Sequence, residues 1–160
     1  MLNKEYLQTI FIYKDGNLYW KIAKSNAIKI GSEAGNITSK GYRNIQVNKK
    51  IYGAHRLVFL MHNGYLPNQI DHIDGNKLNN NIDNLREATN AQNQCNIQKR
   101  SNNTSGFKNV YLHKKTNKWQ VRLQINGKPK CFGLYHDIDY AKFVSDAMRN
   151  KHHGKYANHG

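Results

Sequence analysis

The sequence predicts an α+β protein built in two parts, and three observations carry that expectation. Short β-like runs broken by turn dipeptides fill residues 6–52, and a helical pattern follows at 54–63. A polar stretch at 98–105, free of apolar side chains, then separates this half from a second set of strands closed by a second helical pattern. A chain of 160 residues can make one ordinary domain or two small ones, so the shift in composition, and not length, divides it. The expected parts are 1–98 and 105–160, with a linker at 99–104.

In the first part, Thr9-Ile10-Phe11-Ile12-Tyr13, Leu18-Tyr19-Trp20-Lys21-Ile22 and Tyr42-Arg43-Asn44-Ile45-Gln46-Val47 read as strands, because the turn signals Asp15-Gly16 and Lys40-Gly41 fall between them. They form an antiparallel sheet or a pair of hairpins. Leu57, Val58, Leu60 and Met61 recur at helical spacing, and Gly64 stops that helix. Ile82 to Leu85 then leads into the polar segment 89–98, which has helix-compatible composition and neither glycine nor proline. In the second part, Val110-Tyr111-Leu112, the run Trp119 to Ile125 and Cys131-Phe132-Gly133-Leu134-Tyr135 read as three strands, with Asn126-Gly127 as a hairpin turn. Tyr140, Phe143, Val144, Ala147 and Met148 then follow helical spacing, with Asp137 or Asp139 as the cap. Three strands covered by one helix close a core of about 55 residues, small but feasible.

Charge points to the partner. Lys and Arg number 25 against 10 Asp and Glu, a formal charge of +15 that favours a polyanion such as nucleic acid over a membrane surface. The excess is concentrated from residue 99 onward, with 13 basic against 3 acidic residues, leaving 12 against 7 before it. No run approaches the roughly 18 apolar residues of a spanning helix, and Met1-Leu2-Asn3-Lys4-Glu5 lacks the apolar core of a signal peptide, so a cytoplasmic location is expected. Cys95 and Cys131 are too few and too far apart for a zinc knuckle or a disulfide framework and read as reduced thiols.

The chemistry concentrates in Asp71-His72-Ile73-Asp74-Gly75-Asn76, followed by Asn84-Leu85-Arg86 and Asn93. Neighbours on an extended strand point to opposite sides, so one of Asp71 and His72 can hold a metal while the other faces a substrate atom. His72 to Asn84 is 12 positions and Asn84 to Asn93 is 9, room for strand, loop, strand and the first turns of a helix. These residues resemble the HNH endonuclease family with its ββα-metal fold, in the variant with Asn in place of the final His. Gly16-Asn17-Leu18-Tyr19-Trp20-Lys21, Gly41-Tyr42-Arg43, Ala54-His55-Arg56-Leu57-Val58 and Pro67 extend the likeness to phage and bacterial HNH homing endonucleases.

That resemblance implies a division of labour. His72, with an ordinary pKa near 6.5, is the general base that takes a proton from water. Asp71 and Asn93 are hard-oxygen ligands suited to Mg²⁺ or Mn²⁺, with no structural zinc. Asn90 and Asn96 lie one turn from Asn93 and offer the same carboxamide, so the ligand is Asn93 or one of these neighbours. Asn84 is not a ligand: it ties down the loop between the strands and so orients His72. Asp74 reads as a turn residue, and Asp83 as helping to begin the helix. His55 reads as a structural or backbone-contacting residue ahead of an auxiliary catalytic one, and Arg56 and Arg86 as phosphate clamps or as solvated or paired arginines.

Ser105-Gly106-Phe107, Lys118-Trp119, Asn126-Gly127-Lys128, Phe132-Gly133-Leu134-Tyr135 and His153-Gly154-Lys155-Tyr156-Ala157 resemble an AP2-type DNA-binding domain. The likeness places Lys108, Tyr111 and His113 where such domains contact DNA, although plant AP2 factors typically carry arginines there. Alternation along the middle strand turns Arg122 and Gln124 outward as candidate base readers, with Lys128 as a phosphate contact. The combined reading is a metal-dependent, site-specific endonuclease for double-stranded DNA, of phage homing type, monomeric or dimeric. The alternatives are a DNA-binding regulator with an inactive nuclease half and an RNA-processing nuclease.

Overall fold

The computed structural model describes residues 2–23, 25, 27–99 and 101–159. Its contacts divide the chain into two compact units, Met1–Ala88 and Thr89–Gly160. Among the described residues no helix is long and apolar enough to cross a membrane.

The first unit opens with a helix that the strand reading missed. α1 (Lys4–Ile10) is capped by Asn3, whose side chain accepts from the Tyr6 amide, and it buries Leu7 and Ile10 one turn apart. Thr9 and Ile10 therefore belong to a helix, and the strand β1 (Phe11–Lys14) starts only at Phe11. The β-branched pair misled the reading because a cap at Asn3 and a buried i, i+3 face outweigh local β propensity. β1 pairs antiparallel with β2 (Asn17–Trp20) around the Asp15-Gly16 turn. A second sheet carries β3 (Asn36–Ile37), β4 (Arg43–Val47) and β5 (Lys50–Gly53) in that order.

α2 (Ala54–Asn63) follows, ended by Gly64 in the left-handed region with its amide on the Leu60 carbonyl. Its apolar face joins Leu7, Phe11, Leu18, Trp20 and Ile45 in one core. β6 (Gln69–His72) and β7 (Leu85–Ala88) then form an antiparallel pair with Asp71 opposite Arg86 and His72 opposite Leu85. Between these strands Ile82–Asn84 makes a 3-10 turn capped by Asn81, so Asp83 begins that turn and not the following helix.

The hairpin β1-β2 braces this segment. The Tyr13 hydroxyl accepts from the Ile82 amide at 3.1 Å. Gly16 lies so close to the loop that an added Cβ would stand 2.7 Å from the Asn81 nitrogen.

In the second unit α3 (Asn90–Asn96) begins at Thr89, whose hydroxyl accepts from the Gln92 amide while the Gln92 side chain returns to the Thr89 amide. α3 packs with the 3-10 turn Gly154–Tyr156, so the division falls ahead of the expected linker 99–104, of which Arg100 lies outside the described residues. A three-stranded antiparallel sheet follows, with β9 (Lys118–Ile125) between β8 (Val110–His113) and β10 (Lys128–Tyr135). α4 (Ile138–His153), capped by Asp137, covers it, and Val110, Val121, Leu123 and Ala141 form the centre of the core. Arg149 of α4 is 1% exposed and donates to the Lys108 carbonyl at 2.8 Å, which Ser145 also reaches at 2.9 Å.

Replacing Gly16 with alanine combines a left-handed backbone, φ 83°, with a backbone clash. Gly16→Ala is expected to lose about 1–3 kcal/mol in chemical denaturation.

Candidate active site

Strand β6 delivers Asp71 and His72 side by side, 4% and 6% exposed, because the short strand is covered on both faces. Asp71 is bound across the ladder by Arg86, whose Nε and Nη2 donate to Oδ2 at 2.8 and 2.6 Å. Arg86, expected as a DNA clamp or a paired arginine, thus has its guanidinium on this carboxylate.

His72 lies among Asn80, His55 and Tyr42. Its Nε2 lies 3.0 Å from Oδ1 of Asn80, its ring centroid 5.3 Å from that of His55 in an edge-on contact, and 6.2 Å from that of Tyr42. Asn80 was not singled out from the sequence. Its only signal is the run Asn79-Asn80-Asn81, in which nothing local tells which amide turns inward. Tyr42 and Lys77 were also missed: the Lys77 amine lies 4.8 Å from the Tyr42 ring and donates to the Lys40 carbonyl.

The loop 73–84 is secured by its own side chains. Asn76, Asn79 and Asn81 each accept from the amide two residues ahead, the turn geometry short carboxamides favour. Asp74 accepts from the Asn76 amide and from the Asn79 and Asn84 side chains. Asn84 also donates to the Asn79 carbonyl at 2.8 Å and accepts from the Asp74 amide at 3.1 Å, stapling the two ends of the loop. What little hydration Asp74 loses works against its charge, yet the donors from Asn79, Asn84 and the Asn76 amide hold its carboxyl below the ordinary range.

His55 opens α2, and burial, then the nearby His72 and Arg56, lower its pKa to about 4. It is therefore neutral at physiological pH and places no positive charge beside the His72 ring. Gly53 leaves room for its ring, since a Cβ there would lie 2.5 Å from Cε1. Arg56 donates to the carbonyls of Pro67 and Asn68 at 3.1 and 3.4 Å, tying α2 to the approach of β6.

The remaining candidates lie in the second unit. Asn93 stands half-buried on α3, while Asn96 is buried and accepts from Asn158 at 3.4 Å. The Lys108 amine turns onto the Cys95 carbonyl at 3.0 Å, and burial and then Arg149 lower its pKa to about 8. Register puts Tyr111, His113, Arg122 and Gln124 on one face of the sheet, opposite the Val121 and Leu123 face. There the Arg122 guanidinium covers the Tyr111 ring at 5.5 Å, His113 contacts Thr116, and Gln124 donates to the Gly127 carbonyl. Lys128 is exposed opposite Ile125, so its register places it with the other face.

Among the described residues no three His, Cys, Asp or Glu side chains converge as a metal cluster. The HNH endonuclease family matches residues 52–95, from β5 to α3. Protein 3.8 of Escherichia phage T7 is 33% identical over 114 residues, which cover 68% of this chain and 93% of that protein. No solved structure matches the chain at a significant level.

Two outcomes follow from the site. Removing one partner of the buried pair leaves a lone charge, so Arg86→Met is expected to cost about 3 kcal/mol in chemical denaturation. Because folding favours neutral His55, the unfolded chain carries the extra proton between pH 6.5 and about 4. Stability from this residue is present at neutral pH and falls as pH drops through that window, by up to about 3 kcal/mol. In parallel denaturation curves His55→Phe should lose correspondingly less on acidification than wild type.

Proposed function

The chain belongs to the family of the phage Protein 3.8 and carries an HNH endonuclease domain, and on that premise we propose that it is a metal-dependent, site-specific endonuclease for double-stranded DNA. The observation that carries the reading is the seating of His72 beside Asp71 on β6, below a loop closed by Asn84, within the matched segment. HNH nucleases use a divalent metal, and the Asp71 carboxylate is of a chemistry that suits one. Asp71 would offer a hard oxygen, and Mg²⁺ typically takes only one or two protein carboxylates, with water and substrate phosphate completing its shell. The chemistry a divalent cation supplies when bound is neutralisation of charge on the leaving oxygen.

His72 takes the proton from the attacking water as its oxygen bonds to phosphorus and the bond from phosphorus to the leaving sugar oxygen breaks. Neutral His55 fills the space beside the base without raising the local charge. Arg86 holds Asp71 in place across the ladder.

The second unit provides the DNA grip. Three antiparallel strands on one helix, with Tyr111, Arg122 and Gln124 on the exposed face, support the AP2-like reading and a sequence-reading role for Arg122 and Gln124. The basic excess beyond residue 99 supports binding to the phosphate backbone. A phage-encoded homing enzyme acting in the host cytoplasm is the setting this combination fits. A single site per chain nicks one strand, and a dimer or a second encounter cuts both.

The test incubates wild type and His72→Ala with supercoiled DNA bearing the intronless homologous locus, with Mg²⁺ and with EDTA. Wild type is expected to nick or linearise the DNA only with metal, and His72→Ala to be slower by about 10²–10⁴-fold. Tight duplex binding by both without cleavage by either would instead make the chain a DNA-binding regulator. In binding assays on the cleaved site, Arg122→Ala is expected to lose about 1–3 kcal/mol of discrimination against altered bases.

A further inference from the structure

We propose that Asn80 is a positioning residue for the general base His72, held in place by the N-terminal hairpin; the inference rests on the nuclease reading. Asn80 is 2% exposed, whereas its neighbours Asn79 and Asn81 are half-buried and exposed. The loop's closure does not use its side chain. Asn84, Asp74, Asn79 and the successive amide turns close the loop, while the Asn80 carboxamide turns away from that network to reach His72 at 3.0 Å.

The chemistry of that contact is specific. A carboxamide oxygen can only accept a hydrogen bond, so the Nε2 facing it carries the proton. The neutral imidazole then has its lone pair on Nδ1, the atom that takes the proton from water. The Asn80 amide thus favours one tautomer and helps hold the ring angle, the task that partners of metal-bound and catalytic histidines perform elsewhere.

The backbone beneath Asn80 is fixed from outside the loop. A Cβ on Gly16 would lie 3.0 Å from the Asn80 carbonyl carbon and 2.7 Å from the Asn81 nitrogen, and Tyr13 holds the Ile82 amide. The Asp15-Gly16 turn and Tyr13 therefore pin residues 80–82 against the hairpin. A shift there would carry the carboxamide away from Nε2.

The experiment uses the full chain as wild type, Asn80→Leu, Asn80→Asp and Gly16→Ala. Long-range ¹H–¹⁵N spectra of the imidazoles, recorded at about pH 8 where an ordinary histidine is neutral, report the His72 tautomer without any need for cleavage. Cleavage kinetics with Mg²⁺ supply kcat and KM, and unfolding curves identify the variants that remain folded.

Wild-type His72 is expected to be a single Nε2–H tautomer, and Asn80→Leu to show a mixture with kcat lower by about 10–100-fold and KM little changed. Asn80→Asp keeps an acceptor oxygen and is expected to recover both the tautomer and most of kcat. Gly16→Ala should move the same His72 signals. An Nδ1–H tautomer in wild type, or a folded Asn80→Leu with unchanged kcat, overturns the proposal. A wild type that cuts under no condition yet shows the Nε2–H tautomer lost in Asn80→Leu supports the contact and overturns only the nuclease reading.

Discussion

A loop that must hold a buried side chain against a neighbouring strand has to be rigid, and the loop 73–84 has little apolar material with which to become so. Ile73 and Leu78 are both exposed, so no core forms beneath them. Rigidity comes from hydrogen-bond satisfaction instead: short carboxamides and one carboxylate take up backbone amides two residues ahead, and Asn84 joins the ends. Each such bond contributes only about 1 kcal/mol net, yet leaving a partner unmade costs more than making it gains. A set of mutually satisfied amides is therefore stiff out of proportion to its stability. The placement of His72 depends on that stiffness.

The strands beneath the loop carry a different kind of constraint. Asp71 is nearly buried and its charge is tolerated because Arg86 neutralises it across the ladder. His55 solves the opposite problem by giving up its charge, so two imidazoles can share a small space. Ion pairing on one side and neutralisation on the other keep Asp71 and His55 from adding unbalanced charge to this small space.

How much of this was legible varied with how local the deciding physics is. Helix α2 and the alternation along β9 follow from side-chain period, and the burial of Leu57, Val58, Val121 and Leu123 agrees with that period. The hairpin turn at Asn126-Gly127 is equally local, with φ 51° and 77° at the two positions. Helix α1 was not legible, because Thr9 and Ile10 favour strands locally and only the Asn3 cap and the shared core reverse the choice. Asp71 and His72 could be found as a spacing pattern, but the partners Asn80 and Arg86 are chosen by loop closure and strand register, which no local pattern encodes. Lys108, placed by the AP2 likeness among DNA contacts, turns its amine onto the Cys95 carbonyl, a partner that no local pattern encodes either.

The approach of Gly16 to Asn81 bears on portability. The matched segment starts at residue 52, but the loop within it is shaped by a turn more than thirty positions earlier. A transplant of the matched segment alone would carry the motif without the wall against which its loop is moulded. The hairpin is thus part of the unit that shapes the loop, and the smallest transferable piece reaches back through Gly16 to Tyr13. Any lineage that altered that turn would have to alter the amides facing it at the same time.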